Sequence, residues 1–329
     1  MSVELHCHSL FSVDGWATPE EVAERAAAAG VKTLALTDHN TVGGLARCRS
    51  RAEELGLRFI DGLELDVKWR GGDHHALAFG FDPADAALGA LLERNWAEYE
   101  VNFARFLPVI ARRFGVSRAE LAAGLAARYR THPAPVLNKW FARGFLLERG
   151  VFPDQATASR EMSAVAAEAE QGLPPAEIWN FATLAETRDA VGAAVGILLL
   201  AHPAGSCPGD LGGQLALVRQ VLAAGLDGFE LYHPANTREA HFPELAAEAR
   251  RLGCAVSGGS DDHAAPGEAE PAREKGVRNL LPGRPFGCSA QKVPDTFFSP
   301  FFSPFFSPGV PEEVVATLDA ALRNRHGQA

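Results

Sequence analysis

VELHCHSLFSVDGWATPEEVAERAAAAGVKTLALTDHN, residues 3–40, decides the fold class. Val3 to Cys7 reads as a strand. Thr18, Pro19 and Glu21 then form a capping box with proline at the first helical position, and a small, Ala-rich helix runs to its stop at Gly30. Val31 to Leu36 is a second apolar strand. Outward from this strand–helix–strand unit, the spacing predicts a helix from Gly44 to Leu55 and extended runs over Leu57 to Val67 and His74 to Phe81. After about residue 190 the rhythm returns: GILLLAHP, a helix ending near Gly225, DGFELYHP, a helix ending near Gly253, and CAVSGGSDDH. Strands that are apolar without alternation, separated by helices, imply an α/β protein with a parallel sheet, either open or closed into a barrel.

Between the two halves the strand signal disappears. Residues 84–189 carry Ala/Leu/Glu/Arg-rich helical patterns, with a second capping box at Ser117 to Glu120. They are expected to form a helical insertion in a barrel made of residues 1–83 and 190–329. Residues 297–308 repeat FFSP three times. A proline at every fourth position forbids a helix there and favours extended or turn backbone. A final helix is expected from Glu312 to Arg325.

Composition narrows the function. The chain has 329 residues, 47% of them hydrophobic and 22% charged, as expected of a globular protein with a sizeable core. Its 31 Lys and Arg against 41 Asp and Glu give a net charge of −10, without the basic footprint that long nucleic acid requires. The five cysteines form no CxxC pair, so neither a disulfide framework nor a thiolate zinc site is suggested. No apolar run is long enough for a membrane helix, and MSVELHCHS lacks the basic and apolar stretches of a signal peptide, so a cytoplasmic location is expected.

The histidines are not scattered at random. His6 and His8, two apart on the first strand, point to one face. His39 follows LALTD, Glu64 sits in GLEL, His75 begins HALAFGF, His202 ends ILLLA, and Asp261 and His263 close GGSDDH. Apart from His6, His8 and His75, they fall at or beyond the C-terminal ends of buried strands, where α/β enzymes place their sites. Asp14, in a Ser-Val-Asp-Gly turn, can fold back over the same mouth. Any one of these alone would be an ordinary structural residue, but the ensemble is not explained by core packing. Imidazoles with several carboxylates suit Zn, Mn or Fe, and nine ligands imply two or three ions with bridging carboxylates. Fixed positive charge would let an acidic protein hold an anionic substrate.

The segments ELHCHSLFSVDG, TDHNTVGG, GLEL, HALAFGFD, LLLAHP and GSDDH, in this order, resemble the polymerase and histidinol phosphatase (PHP) phosphoesterases over about Val3 to Asp82 and Gly196 to His263. The resemblance implies a distorted seven-stranded, TIM-like β/α barrel and a two- or three-metal centre that hydrolyses phosphate esters. The implied ligands are His6, His8, Asp14, His39, Glu64, His75, His202, Asp261 and His263, with a metal-bridging hydroxide held by Glu64 and Asp261. His75 fits the family's His-x-Leu-x-aromatic-Gly-x-Asp spacing better than His74, which is expected nearby or exposed. His233 is a candidate acid or supporting group.

The helical insertion resembles the branch that includes nucleotide bisphosphate phosphatases and a 5′ to 3′ exoribonuclease. The expected substrate is therefore a small phosphorylated molecule, a nucleotide or short oligonucleotide. In that branch an insertion histidine joins the metals, whereas this chain reads VLNKWFARGFLLERG, with Trp140 near that place and His132 or Asn138 as possible substitutes. Lys139, Trp140, Arg143 and Arg284 are candidate substrate contacts, and Phe141 is expected to pack the insertion onto the barrel. Histidinol-phosphate phosphatase is the alternative within the class. An amidohydrolase is the alternative outside it, disfavoured because none of the five lysines ends a suitable strand. A non-catalytic module would be expected to lack more than one ligand.

Overall fold

The computed structural model describes residues 2–128, 136–174, 177–264 and 310–327. In chain order its elements are β1 (Ser2–Glu4), α1 (Pro19–Ala28), β2 (Val31–Leu36), α2 (Leu45–Glu54), β3 (Arg58–Trp69), β4 (Gly72–Phe79), α3 (Ala86–Phe114) and α4 (Arg118–Arg128). There follow α5 (Lys139–Glu148), α6 (Gln155–Ala169), α7 (Leu184–Ala193), β5 (Ile197–Leu200), α8 (Pro203–Ser206), α9 (Leu211–Ala223), β6 (Gly228–Tyr232), α10 (Pro234–Thr237), α11 (Phe242–Leu252), β7 (Ala255–Gly258) and α12 (Glu313–His326). The FFSP repeat, His132 and Arg284 lie outside the described residues.

The seven strands form one sheet in sequence order, β1 to β7. Its two edges meet beyond the ends of β7 and β1. Leu5 N–H donates to Gly258 O at 3.2 Å, Asp261 N–H to His6 O at 2.7 Å, and His8 N–H to Asp262 O at 2.9 Å. These contacts close the sheet into a barrel without the exposed edges of an open one. Gly259 is required at this seam, because a Cβ there would stand 2.4 Å from His6 N and from Glu4 Oε1. Leu5, Leu34, Leu36, Leu63, Leu65, Leu77, Phe79 and Phe229 are fully buried in the core of the barrel and its surrounding helices.

One strand departs from the expected parallel sheet. β4 runs antiparallel to both β3 and β5. The cause is local: Arg70 and Gly71 both have positive φ, 50° and 79°, which makes Trp69–Gly72 a tight hairpin with the twist that adjoining strands need. Because β4 is reversed, its start lies at the mouth where the parallel strands end. β1 is also shorter than expected, ending at Glu4, so His6 and His8 lie past its end. Both departures move residues toward the same face.

Residues 86–169 hold helices α3 to α6 and, among the described residues, no strand. They carry their own apolar cluster, including Phe103, Phe106, Ile110, Leu121, Phe141, Leu146, Phe152 and Val165. The sequence-based boundary at 189/190 falls inside α7. Thr183 and Glu186 cap that helix reciprocally, and Leu184 and Val191 belong to the barrel core, so the return to the barrel begins about six residues earlier than expected. The start of α3 is likewise shared, since Leu88, Leu91 and Leu92 pack in the barrel core.

Candidate metal centre

The mouth of the barrel gathers its polar residues around one carboxylate. Glu64 is buried on β3, and its two oxygens face different imidazoles. Oε2 lies 3.1 Å from His6 Nε2, 3.3 Å from His8 Nε2 and 3.2 Å from His39 Nε2. Oε1 lies 3.0 Å from His75 Nδ1 and 3.3 Å from His202 Nε2. Asp261 approaches from the opposite side, with Oδ1 3.2 Å from His6 Nε2 and 3.0 Å from His8 Nε2. Asp14 Oδ2 lies 3.2 Å from His263 Nε2 and 3.5 Å from His39 Nε2. All nine residues singled out in the sequence therefore meet in one cluster.

The contacts divide into overlapping groups whose donor atoms converge: His6, His8, Glu64 and Asp261; His39, Glu64 and His75; and His8, Asp14, His39 and His263. His6 shows why such groups need cations. Its Nδ1 meets Glu230 Oε1 at 2.9 Å, and a neutral ring that donates there presents a lone pair at Nε2. That lone pair faces the oxygens of Glu64 and Asp261. His6 Nε2, Asp14 Oδ2 and Glu64 Oε2 are buried with no hydrogen bond among the described residues. Buried lone pairs aimed at one another are repulsive unless a proton or a metal ion stands between them.

The titration behaviour shows the same demand for positive charge. Burial alone would lower the His6 pKa, yet Glu230, Glu64 and Asp261 outweigh it and raise the pKa well above 6.5. His8 is likewise pushed up to about 10 against its burial, through Asp261 and Glu64. In Glu64 burial favours the neutral form, but His39, His6 and His75 prevail and hold its pKa well below the usual range. Nitrogen and carboxylate oxygen donors in this ratio fit divalent Mn, Zn or Fe.

Local structure aims each ligand. Ser12 Oγ donates to Asp14 Oδ1 at 2.6 Å and accepts from His39 N–H at 3.2 Å, tying the Asp14 turn to the end of β2. His202 and Asp261 adopt positive φ, 23° and 57°, conformations that non-glycine residues keep only where their surroundings enforce them. The side chains of His6 and His8 are fully buried, whereas those of His75, Asp261 and His202 are 25%, 17% and 14% exposed. The cluster is therefore open on the His75–His202–Asp261 side.

His233, after β6, places Nε2 3.3 Å from Asp261 Oδ2, while its Nδ1 accepts from Ala235 N–H at 3.0 Å. A neutral ring accepting at Nδ1 carries its proton at Nε2, which faces the mouth. His74 is outside the cluster and meets Ser206 Oγ at 3.0 Å. Asn138 Oδ1 accepts from Phe141 N–H at 2.8 Å and its Nδ2 donates to Val136 O, so it serves as the cap of α5 and does not replace the missing insertion histidine. Arg143 is buried on α5, and Phe141 packs in the insertion's own apolar cluster, not in the barrel core. Trp140 stands edge-to-face with Tyr99 at 5.6 Å and nearly parallel to Trp179 at 6.3 Å, with Lys139 Nζ 4.8 Å from its ring centre.

Two supporting carboxylates were not singled out. Glu230 accepts from His6 Nδ1 and, through Oε2, from His202 N–H at 2.9 Å. Asp66 lies 3.1 Å from His75 Nε2. Both were within reach of strand periodicity: Glu230 stands in GFEL as Glu64 does in GLEL, and Asp66 is two residues beyond Glu64 on the same face.

The PHP domain profile matches residues 4–118. The chain is 33% identical over 289 residues to a 3′,5′-nucleoside bisphosphate phosphatase of Chromobacterium violaceum, covering 85% of this chain and 93% of that protein. It is 32% identical to a phosphoribosyl 1,2-cyclic phosphate 1,2-diphosphodiesterase of Eggerthella lenta, covering 80% and 94%. It is 29% identical to a 5′-3′ exoribonuclease of Haemophilus influenzae, covering 79% and 89%. Among solved structures, a protein of Bifidobacterium adolescentis described as a metal-dependent phosphoesterase superimposes with a TM-score of 0.65 at 25% identity, over 80% of this chain and 87% of that one.

Proposed function

The chain belongs to the PHP-domain family of metal-dependent phosphoesterases, and from that premise we propose that this member hydrolyses phosphate esters of nucleotides or short oligonucleotides. The observation that carries the reading is Glu64, whose two oxygens serve five imidazoles while Asp261 faces two of them from across the mouth. His6, His8, Glu64 and Asp261 would hold one ion, His75, His202 and Glu64 a second, and Asp14, His39 and His263 a third. Bound divalent ions would supply positive charge to the phosphate oxygens and make a water acidic enough to attack at neutral pH.

The chain's own residues do the rest. His6 and His8 are locked by burial, so the centre is preorganised before substrate arrives. The open side beside His75, His202 and Asp261 admits the phosphate. His233, with its Nε2–H beside Asp261 Oδ2, is placed to donate a hydrogen bond to a phosphate oxygen or to the departing alcohol oxygen. The insertion would select the substrate: Trp140, with Lys139 Nζ 4.8 Å from its ring centre, is the candidate stacking surface for a base, and Arg143 on the same helix the candidate phosphate contact. The aromatic group leans on the centre itself, since Val13, next to Asp14, packs with Tyr99 and Trp140.

That aromatic group favours a nucleotide over histidinol phosphate. An amidohydrolase reaction is not favoured: Lys32 is exposed and Lys68 pairs with Asp73 at 2.7 Å, so neither belongs to the cluster. The test is hydrolysis by manganese-loaded protein, read as phosphate release from nucleoside bisphosphates and histidinol phosphate and as mononucleotide release from short RNAs. Faster turnover of the nucleotide substrates is expected. Turnover of histidinol phosphate alone would overturn the assignment.

A further inference from the structure

Asp66 and Glu64 share a face of β3, but Asp66 enters none of the converging ligand groups. The two nitrogens of His75 explain the difference. Nδ1 lies 3.0 Å from Glu64 Oε1 and 3.3 Å from His202 Nε2, two atoms of the proposed ligand set. Nε2 lies 3.1 Å from Asp66 Oδ1, an acceptor. A neutral imidazole has one proton to place, and Asp66 draws it to Nε2, which leaves the Nδ1 lone pair facing the cluster.

Asp66 is itself held from the insertion. Its Oδ2 accepts from Tyr99 Oη and Asn40 Nδ2. Its backbone N–H donates to Asn40 Oδ1 at 3.3 Å, and its carbonyl accepts from Asn95 Nδ2 at 2.9 Å. Asn95 Nδ2 also reaches Asn40 Oδ1 at 2.9 Å, and Asn95 Oδ1 accepts from Ala182 N–H at 2.8 Å. Asn95 and Tyr99 are four residues apart on α3, so one helix face supplies both. Asn40, Asn95 and Tyr99 are essentially inaccessible to water. A buried network costs least when every member is satisfied, and then it permits only one arrangement.

We propose that Asp66 is a positioning residue that fixes His75 with its proton on Nε2 and its Nδ1 toward a divalent ion, and that Tyr99 and Asn95 make this orientation depend on helix α3 of the insertion. The inference rests on the metal-centre reading above. It differs from a structural-glue role, in which the same bonds merely fasten α3 to β3.

Calorimetric titration of the metal-free full chain with Mn²⁺ separates the two. Asp66→Asn should weaken one binding event by about 10- to 100-fold, the scale expected for an orienting partner of a metal-bound histidine. Tyr99→Phe, which keeps the ring contacts with Trp96 and Trp140, should weaken the same event by less. Co²⁺ added instead should give an altered visible spectrum in the same order of variants, and Asp66→Glu should restore part of the affinity. If Asp66→Asn fails to fold, Tyr99→Phe decides. Unchanged Mn²⁺ affinity with a lowered melting temperature of the metal-free variants would overturn the positioning role alone. A parent protein that takes up no Mn²⁺ would overturn the metal-centre reading together with it.

Discussion

The barrel mouth and the insertion bury opposite things. At the mouth the buried atoms are largely polar and come from distant parts of the chain, as His6 does with Glu230 and His8 with Asp261. In the insertion they are mostly Phe, Leu, Val and Ala from neighbouring helices, and apart from the buried Arg143 and Glu170 the charges, such as Arg118 with Glu100 and Arg149 with Glu120, lie at the surface. The first arrangement is costly to build and is retained only where charge is needed; the second is an ordinary packed core. One region is thus organised around a reaction and the other around a shape, and α3 joins them.

The sharpest way to break this comparison is to remove a ligand. Glu64→Gln or His8→Ala should lower phosphate release by on the order of 10³-fold, the scale of losing one preorganised charge-stabilising group, with far-ultraviolet circular dichroism unchanged. Activity above a tenth of the parent in either variant would place the chemistry elsewhere.

A second test uses pH. The folded-state pKa of His8 is raised from 6.5 to about 10, so its contribution to stability is fully present below 6.5 and is lost as pH rises through about 10. Melting temperatures of metal-stripped protein should therefore fall between pH 6.5 and 10, while those of metal-loaded protein stay nearly level, because the ions replace the protons. A metal-free protein that gains stability across that range would contradict the origin assigned to the shift.

How much of this was legible in the sequence follows from the same contrast. Ligands at strand ends announce themselves, because a turn residue has no packing reason to be histidine, and His6 to His263 all meet as the sequence segments suggested. The hairpin at Arg70–Gly71 was hidden because Arg-Gly-Gly is a weaker turn signal than Asn-Gly, so the sheet was read as wholly parallel. Asp66 and Glu230 were passed over because their task is set by three-dimensional neighbours. In the insertion, Asn138 looked like a substitute ligand because a helix cap and a ligand draw on the same residue type.

Smaller effects sharpen the insertion's side of the comparison. Replacing Trp140 and Arg143 with Ala should raise KM for a nucleoside bisphosphate by about 10- to 100-fold, the scale of one lost base stack, and leave ribose 5-phosphate little changed. Equal losses on both substrates would make the insertion a structural cover. The smallest effect belongs to Asn138→Ala, which should cost about 1 kcal/mol of stability, measured by urea denaturation, without altering metal content. A fall in bound metal would reassign Asn138 to the centre.

The most direct measurement of the central claim is the number of divalent ions per chain, determined by elemental analysis after equilibration with Mn²⁺ and gel filtration, for the parent and for Glu64→Gln. The account predicts two or three ions in the parent and a loss of at least one in the variant, since Glu64 is shared between groups. No bound ion in the parent, or the same number in both proteins, would contradict it.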